Sequence, residues 1–211
     1  MTRLHIFDLD GTLLHGTSAP LEIARVTGTG PRLAELERRF SDGGLDSRGF
    51  AAELFSLWGR LTEEHVDEAF AGSPFLDGIA EVCADIRERG ERSLVITLSP
   101  GFYARRLRAF GFDKIVASDF PDPPFPGPPD MERILRPQDK VRIAEEVRAA
   151  AGIPLEMCTA YGDSLSDAPL FGHVGRSVAV NGDHHVAALA TAAYTGRSLP
   201  EAYALGRSLA A

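Results

Sequence analysis

Lysine is almost missing from this 211-residue chain: of its 22 basic residues only Lys114 and Lys140 are lysine, the rest being arginine. Where arginine fills nearly every cationic role, a lysine that remains is a candidate for work that needs a compact ammonium. Positive charge is scarce overall, and the net charge of -8 rules out a basic surface for a sequence-independent hold on nucleic acid. No run approaches the roughly 20 consecutive apolar residues of a membrane-spanning helix. No basic segment followed by an apolar one precedes the first strand, so no secretory leader is expected. Cysteine is confined to Cys83 and Cys158, which lie among apolar neighbours without metal-ligand spacing and read as buried free thiols. Together these absences predict a cytoplasmic protein with neither a nucleic-acid nor a membrane partner. The 44% apolar fraction is ordinary, and the length suits one full core plus a small accessory module.

The stretch Leu4-His5-Ile6-Phe7-Asp8-Leu9-Asp10-Gly11-Thr12-Leu13-Leu14 organises the rest. Apolar residues run up to Phe7, carboxylates follow at Asp8 and Asp10, and Gly11-Thr12 turns the chain, which reads as a short buried strand ending in a polar loop. In a strand, residues i and i+2 point the same way, so a regular continuation presses two negative charges together. Such a pair is costly unless a cation lies between them or they hold different protonation states. An Asp-Gly turn between two strands, with the aspartates as turn formers, is the competing reading.

Between about residues 20 and 72 the pattern is helical, with no strand. Pro31–Phe40 carries Leu33, Leu36 and Phe40 on one stripe and has proline at its first position. Ser47 is the expected cap of a helix containing Phe50, Leu54, Leu57 and Trp58 and ending at Gly59; Thr62 is the expected cap of Glu63–Phe70. From Asp77 helix and strand alternate in the manner of a parallel sheet. Helices are predicted at Gly78–Arg89, Phe102–Phe110, Pro137–Ala150, Asp183–Leu189 and Pro200–Leu209. Strands are predicted at Ser93–Leu98, Lys114–Ser118, Glu156–Tyr161 and Ser177–Val180. The proline-rich stretch 121–129 forms neither and reads as an extended loop or flap. The expected class is α/β: residues 1–14 and 75–211 form a core with a parallel sheet flanked by helices, and residues 15–74 a small α-helical cap inserted into it. Ligands of such sheets lie outside the carboxyl ends of the strands, where Asp8, Asp10, Ser99, Asp163 and Asp167 collect.

Asp8-Leu9-Asp10-Gly11-Thr12 resembles the opening motif of the haloacid dehalogenase superfamily, whose commonest members are Mg-dependent phosphatases acting through an aspartyl-phosphate. The resemblance implies a Rossmann-like core and three later motifs, and these occur in order. Ser99-Pro100-Gly101-Phe102 is similar to the Ser-Gly-Gly-Phe of phosphoserine phosphatase-like members. Lys140 lies in the first turn of a helix, and Gly162-Asp163-Ser164 with Asp167 completes the set. By this resemblance Asp8 is the nucleophile, since a carboxylate splits one hard displacement into two. Asp10 is the acid that protonates the leaving alcohol and the base that then activates water. A carboxylate attacking a phosphate dianion requires a cation, and oxygen ligands suit Mg²⁺. Its implied ligands are the Asp8 and Asp163 side chains and the Asp10 backbone carbonyl, with Asp167 acting at second hand or through water. Leu9, Ser99, Gly101 and Lys140 are the implied phosphate-binding residues. Thr97 shares the parity of Ser99 and stays open as the phosphate-binding hydroxyl. Pro100 departs from the family pattern, because proline has no N–H to offer a phosphate.

The implied cap meets the leaving group. Phosphoserine phosphatases hold the substrate ammonium and carboxylate with an acidic residue after the first motif and an arginine in the cap. Those positions fall near Thr17 and Leu54, neither of which is charged. Glu22, Arg48 and Arg60 lie nearby, and Thr17, Glu22, Arg48, Leu54 and Trp58 are the candidate substrate contacts. A site built for a zwitterion loses discrimination without its charged partners, so a phosphomonoester other than phosphoserine is expected. The expected activity is hydrolysis of a small phosphorylated metabolite, with phosphotransfer from the same intermediate, or a non-catalytic phosphate-binding module, as alternatives. Oligomeric state is not legible.

Overall fold

The computed structural model of the chain describes residues 2–209, Ser41 by its backbone alone. Its strands are β1 (Leu4–Phe7), β2 (Arg92–Pro100), β3 (Lys114–Ser118), β4 (Cys158–Gly162), β5 (Arg176–Val180) and β6 (Ala192–Tyr194). They form one sheet in the order β3-β2-β1-β4-β5-β6, every neighbouring pair parallel. Alternation along β1 explains its central place. Leu4 and Ile6 enter one core with Ile143 and Phe171, while Phe7 enters the other with Val82, Ile86 and Ala202. Parallel strands covered on both faces are buried along their whole length, as every residue of β1, β4 and β5 is.

Between β1 and β2 lie α1 (Ala19–Thr27), α2 (Gly30–Ser41), α3 (Ser47–Leu57), α4 (Glu63–Ala71) and α5 (Ile79–Glu88). The remaining helices are α6 (Gly101–Ala104), α7 (Asp139–Ala150), α8 (Ala168–His173), α9 (His184–Leu189) and α10 (Leu199–Ser208). The sequence pattern misses α1, whose nine residues give little room for a period to show. Its signals are local: Ser18 accepts from the Leu21 amide, Pro20 lies in the first turn, and Gly28 closes it at φ 69°. Asp46, not Ser47, caps α3, its carboxylate accepting from the Gly49 amide at 2.7 Å. The expected helix Phe102–Phe110 is α only through Ala104 and continues as a 3-10 turn over Arg105–Phe110. Short α8 and the three-residue edge strand β6 also escape the pattern, the latter because Ala-Ala-Tyr has no strand signature.

Helices α1–α4 are tied to the sheet-bearing part by ion pairs, Arg48 to Glu132 at 2.8 Å, Arg105 to Glu63 at 3.0 Å and Arg106 to Glu63 at 2.6 Å. The proline-rich stretch 121–129 joins the same seam. Phe125 packs between Phe55 and Phe102, with ring centroids 5.2 and 5.8 Å away, so it serves as packing. Both cysteines are free and buried, as expected, and burial raises their thiols to about 12 at Cys83 and about 11 at Cys158. Among the described residues no helix is long and apolar enough to cross a membrane.

Candidate active site

The sheet reverses its strand order at β1 and β4, and a crevice opens beyond the carboxyl ends of such a pair. Asp8 follows β1 and Asp163 follows β4 directly, so the topology brings together carboxylates 155 positions apart in number from one loop each. Asp8 continues the parity of Leu4 and Ile6, the face covered by α7. There Lys140, in the first turn of α7, donates to Asp8 Oδ1 at 2.7 Å, Asp167 Oδ1 at 2.6 Å and Ser166 Oγ at 3.3 Å. Lys140 is 1% exposed, whereas Lys114 stands exposed at the start of β3. The second oxygen of Asp167 accepts from the Asp163 and Ser164 amides at 3.1 and 3.3 Å. One carboxylate thus orders the lysine and the loop that carries Asp163.

The pressing together of Asp8 and Asp10 that a regular strand would impose does not occur. The strand ends at Phe7, and the chain turns through Gly11 at φ 73°. Asp10 Oδ1 accepts from the Ala19 amide at the start of α1 at 2.7 Å, and its Oδ2 from the hydroxyls of Ser99 at 2.7 Å and Thr97 at 3.2 Å. Both candidate phosphate-binding hydroxyls are therefore bonded to Asp10. Of the two only Ser99 lines the neighbouring cavity, Thr97 being fully buried.

Asp8, Asp10, Asp163 and Asp167 crowd around a single neighbouring ammonium. Burial and the charges of Asp167 and Asp8 act in opposite senses on Lys140, and the carboxylates prevail, holding its pKa above the ordinary lysine value. Burial pushes the Asp8 carboxyl well up, and Asp167, Asp163 and Asp10 add to this against the pull of Lys140. Burial, then the charges of Asp167 and Asp10, raise Asp163 to about 7. Burial also raises Asp10, opposed by its bonds from Ala19, Ser99 and Thr97. Such a charge imbalance is what a divalent cation relieves. Oxygens of Asp8, Asp163 and Asp167 all lie within 4.8 Å of one another, a hard donor set that fits an oxygen-preferring cation. Two glycines make the crowding possible. A β-carbon on Gly11 would stand 2.0 Å from Asp163 Oδ2, and one on Gly162 2.3 Å from Asp167 Cγ.

Beside these carboxylates lies a cavity of about 730 Å³. Asp8, Asp10, Ser99 and Asp163 line it, as do Thr17 and Leu54 from the helical insert. Glu22, Arg48 and Trp58, also candidate substrate contacts, do not. Glu22 is buried against Thr17 Oγ1 at 2.8 Å and Arg25 at 3.1 Å. Arg48 is paired with Glu132, and Trp58, 1% exposed, packs edge-on to Phe102 at 6.2 Å. Leu9 is buried, its carbonyl accepting from the Leu14 amide at 2.9 Å, and Gly101 opens α6. Sequence reasoning misses several lining residues, His15, Glu37 and Asn181 among them. Asn181, at φ 55°, donates to the Gly196 carbonyl at 2.9 Å and to His15 Nδ1 at 3.3 Å, which leaves the neutral imidazole's proton on Nε2. Glu37 carries a signal in the sequence, since it shares the α2 stripe of Leu33 and Phe40.

Comparison with known proteins agrees with this geometry. A phosphoserine phosphatase of Archaeoglobus fulgidus is 25% identical over 186 residues, covering 85% of this chain and 52% of that protein. A phosphoserine phosphatase of Mycobacterium tuberculosis is 34% identical over 134 residues, covering 62% of this chain and 42% of that one. The chain thus spans about half the length of these curated relatives. In fold it is similar to a substrate-bound phosphoserine phosphatase, with a TM-score of 0.82 and 22% identity over 97% of this chain and 98% of that one. The model of the haloacid dehalogenase-like hydrolases matches residues 6–172, from the apolar run before Asp8 to α8 beyond Asp167, and the chain belongs to that family.

Proposed function

We propose that the chain is a Mg²⁺-dependent phosphomonoester hydrolase that acts on a small phosphorylated metabolite through a phosphoryl group carried on Asp8. The observation that carries this reading is the buried Lys140 ammonium, 2.7 Å from Asp8 and 2.6 Å from Asp167, beside a cavity lined by both Asp8 and Asp10. A carboxylate held in place by an ammonium, next to a second carboxylate held by hydroxyls and a helix amide, is a nucleophile beside an acid.

An oxygen of Asp8 bonds to phosphorus in line with the ester oxygen, whose P–O bond breaks. Asp10, with its raised pKa, gives the departing oxygen a proton and releases the alcohol. Ionised Asp10 then takes a proton from water as the water oxygen attacks phosphorus. The bond from phosphorus to Asp8 breaks, inorganic phosphate leaves, and both carboxyls return to their starting states. Lys140 offsets charge on Asp8 throughout, and the Ser99 hydroxyl exchanges Asp10 for a phosphoryl oxygen. The Leu9 and Gly101 amides are the backbone donors of this reading; Pro100 supplies none. Asp8 and Asp163, with the Asp10 carbonyl, would hold Mg²⁺, and Asp167 would support them through the Asp163 and Ser164 amides. When bound, the cation offsets the charge shared by carboxylates and phosphate.

Residues 15–74 act in this reading as a cap over the leaving group, with Thr17 and Leu54 at its inner wall. Two relatives bear the name phosphoserine phosphatase; the uncharged Thr17 and Leu54 favour a different leaving group here. Phosphate release from para-nitrophenyl phosphate tests the reading. Turnover is expected with Mg²⁺ and not with a chelator, and Asp8→Asn should lower it on the order of a thousandfold or more. A variant rate within about tenfold of wild type would remove Asp8 from the chemistry.

A further inference from the structure

The half of the cavity away from Asp8 is built by α1, α2 and α3, and its lining holds a carboxylate but neither lysine nor arginine. That carboxylate is Glu37, half-buried on α2. Burial, joined by the charge of Asp10, holds its carboxyl above the usual range, against the opposing influence of the Ser18 hydroxyl. The cavity's lining also carries the apolar Leu21, Phe40, Phe50, Ala51, Leu54 and Phe120, with Thr17, Ser18 and Ser47 as its hydroxyls from the helical part. Of the arginines close by in sequence, Arg32 is exposed near the start of α2 and does not line the cavity, and four others are turned to other acids. Arg25 bonds Glu22 at 3.1 Å, Arg38 bonds Glu35 at 2.8 Å and Asp42 at 3.0 Å, Arg39 bonds Glu53 at 3.4 Å, and Arg48 bonds Glu132 at 2.8 Å.

A leaving group that carries a carboxylate would enter a cavity already lined by Asp8, Asp10, Asp163 and Glu37, whose lining includes neither lysine nor arginine and whose histidine, His15, is bonded through Nδ1 to Asn181. A buried anion without a partner is costly, and like charges add to the cost. An ammonium in the same place gains a charge-assisted hydrogen bond to Glu37. An apolar body gains by covering the phenylalanine and leucine wall. Resting on the phosphomonoesterase reading above, we propose that the substrate is the monophosphate of an apolar-bodied amino alcohol without a carboxylate, and that Glu37 is the residue that selects its ammonium.

Three esters of equal length isolate the effect: the monophosphates of aminohexanol, hexanol and hydroxyhexanoic acid. Wild-type kcat/KM should fall in that order, with about tenfold or more between the amino and the alkyl ester. Glu37→Gln should bring the amino-to-alkyl ratio to about one, and Glu37→Lys should place the carboxylate ester first. The same order is expected in the Kd values of the Asp8→Asn variant, read by calorimetry without turnover. Hydrolysis of all three esters at similar kcat/KM, a wild-type preference for the carboxylate ester, or a ratio untouched by Glu37→Gln overturns the assignment and leaves the phosphatase reading intact. If wild type hydrolyses para-nitrophenyl phosphate but none of the three, the substrate assignment fails and the phosphatase reading stands; if it hydrolyses none of the four, the phosphatase reading fails, and the binding order still decides the role of Glu37.

Discussion

Replacing Lys140 with methionine removes an ammonium from among buried carboxylates while keeping an unbranched chain of similar length. Unit charges 2.7 and 2.6 Å apart attract by roughly 6 kcal/mol each at an effective dielectric of about 20. The desolvation of the ammonium, several kcal/mol, offsets much of this. Asp8 and Asp167 stay buried in the variant, at 6% and 1% exposure, so the single substitution should cost about 3–5 kcal/mol. Domains of ordinary stability, about 5–15 kcal/mol, survive such a loss. Urea unfolding in the presence of chelator measures it, with equal slopes required for wild type and variant. Adding Asp8→Asn removes a charge from each side of the pair. The double variant should then be less destabilised than the two singles predict, by about 2–3 kcal/mol. Additivity within about 0.5 kcal/mol, or a loss below about 1 kcal/mol for Lys140→Met, would refute the electrostatic account of the site.

Gly11→Ala tests the close approach of Asp163. The backbone at φ 73° should alone cost about 1–2 kcal/mol, and a β-carbon 2.0 Å from Asp163 Oδ2 must displace that carboxylate. Mg²⁺ should raise the Tm of wild type, as any ligand of the folded state does, and should not raise that of the variant; equal rises in thermal scans would count against the assigned donors. His5 governs an acid limb of stability elsewhere in the core. It is fully buried between Tyr161 and Glu91, and burial lowers its pKa below 6.5. The unfolded chain therefore binds a proton that the folded one refuses, and stability should be lost as pH falls from about 6.5 through the folded value. Urea midpoints over that interval should fall less steeply in His5→Gln; an unchanged slope would exonerate the histidine.

Legibility varied with how local the controlling physics was. Thr62 is the cap of α4 and Lys114–Ser118 is β3 as expected, because caps and apolar runs act within a few residues. Lys140 stood out by rarity. The inner wall beyond Thr17 and Leu54 was only faintly legible: the α2 stripe places Glu37 on the inward face, but that this face meets the cavity depends on how α2 packs between α1 and α3. Arg48 and Trp58 lie in the same stretch of chain as Leu54 and follow plausible patterns, yet one pairs with Glu132 and the other packs on Phe102.

The chain order of Asp8, Ser99, Lys140 and Asp163, and their place at strand ends or a helix start, belong to the sequence, because hydrophobic period and turn chemistry are written residue by residue. The partner of each carboxylate belongs to the tertiary structure. Asp8 meets an ammonium and Asp10 meets hydroxyls and a helix amide, although the two are separated by a single leucine. The bond from Lys140 to Asp8 spans 132 positions and depends on the register that sets Phe7 beside Tyr161 and on the helix crossing that face. No local pattern encodes those relations, because they arise only when distant segments are buried against one another.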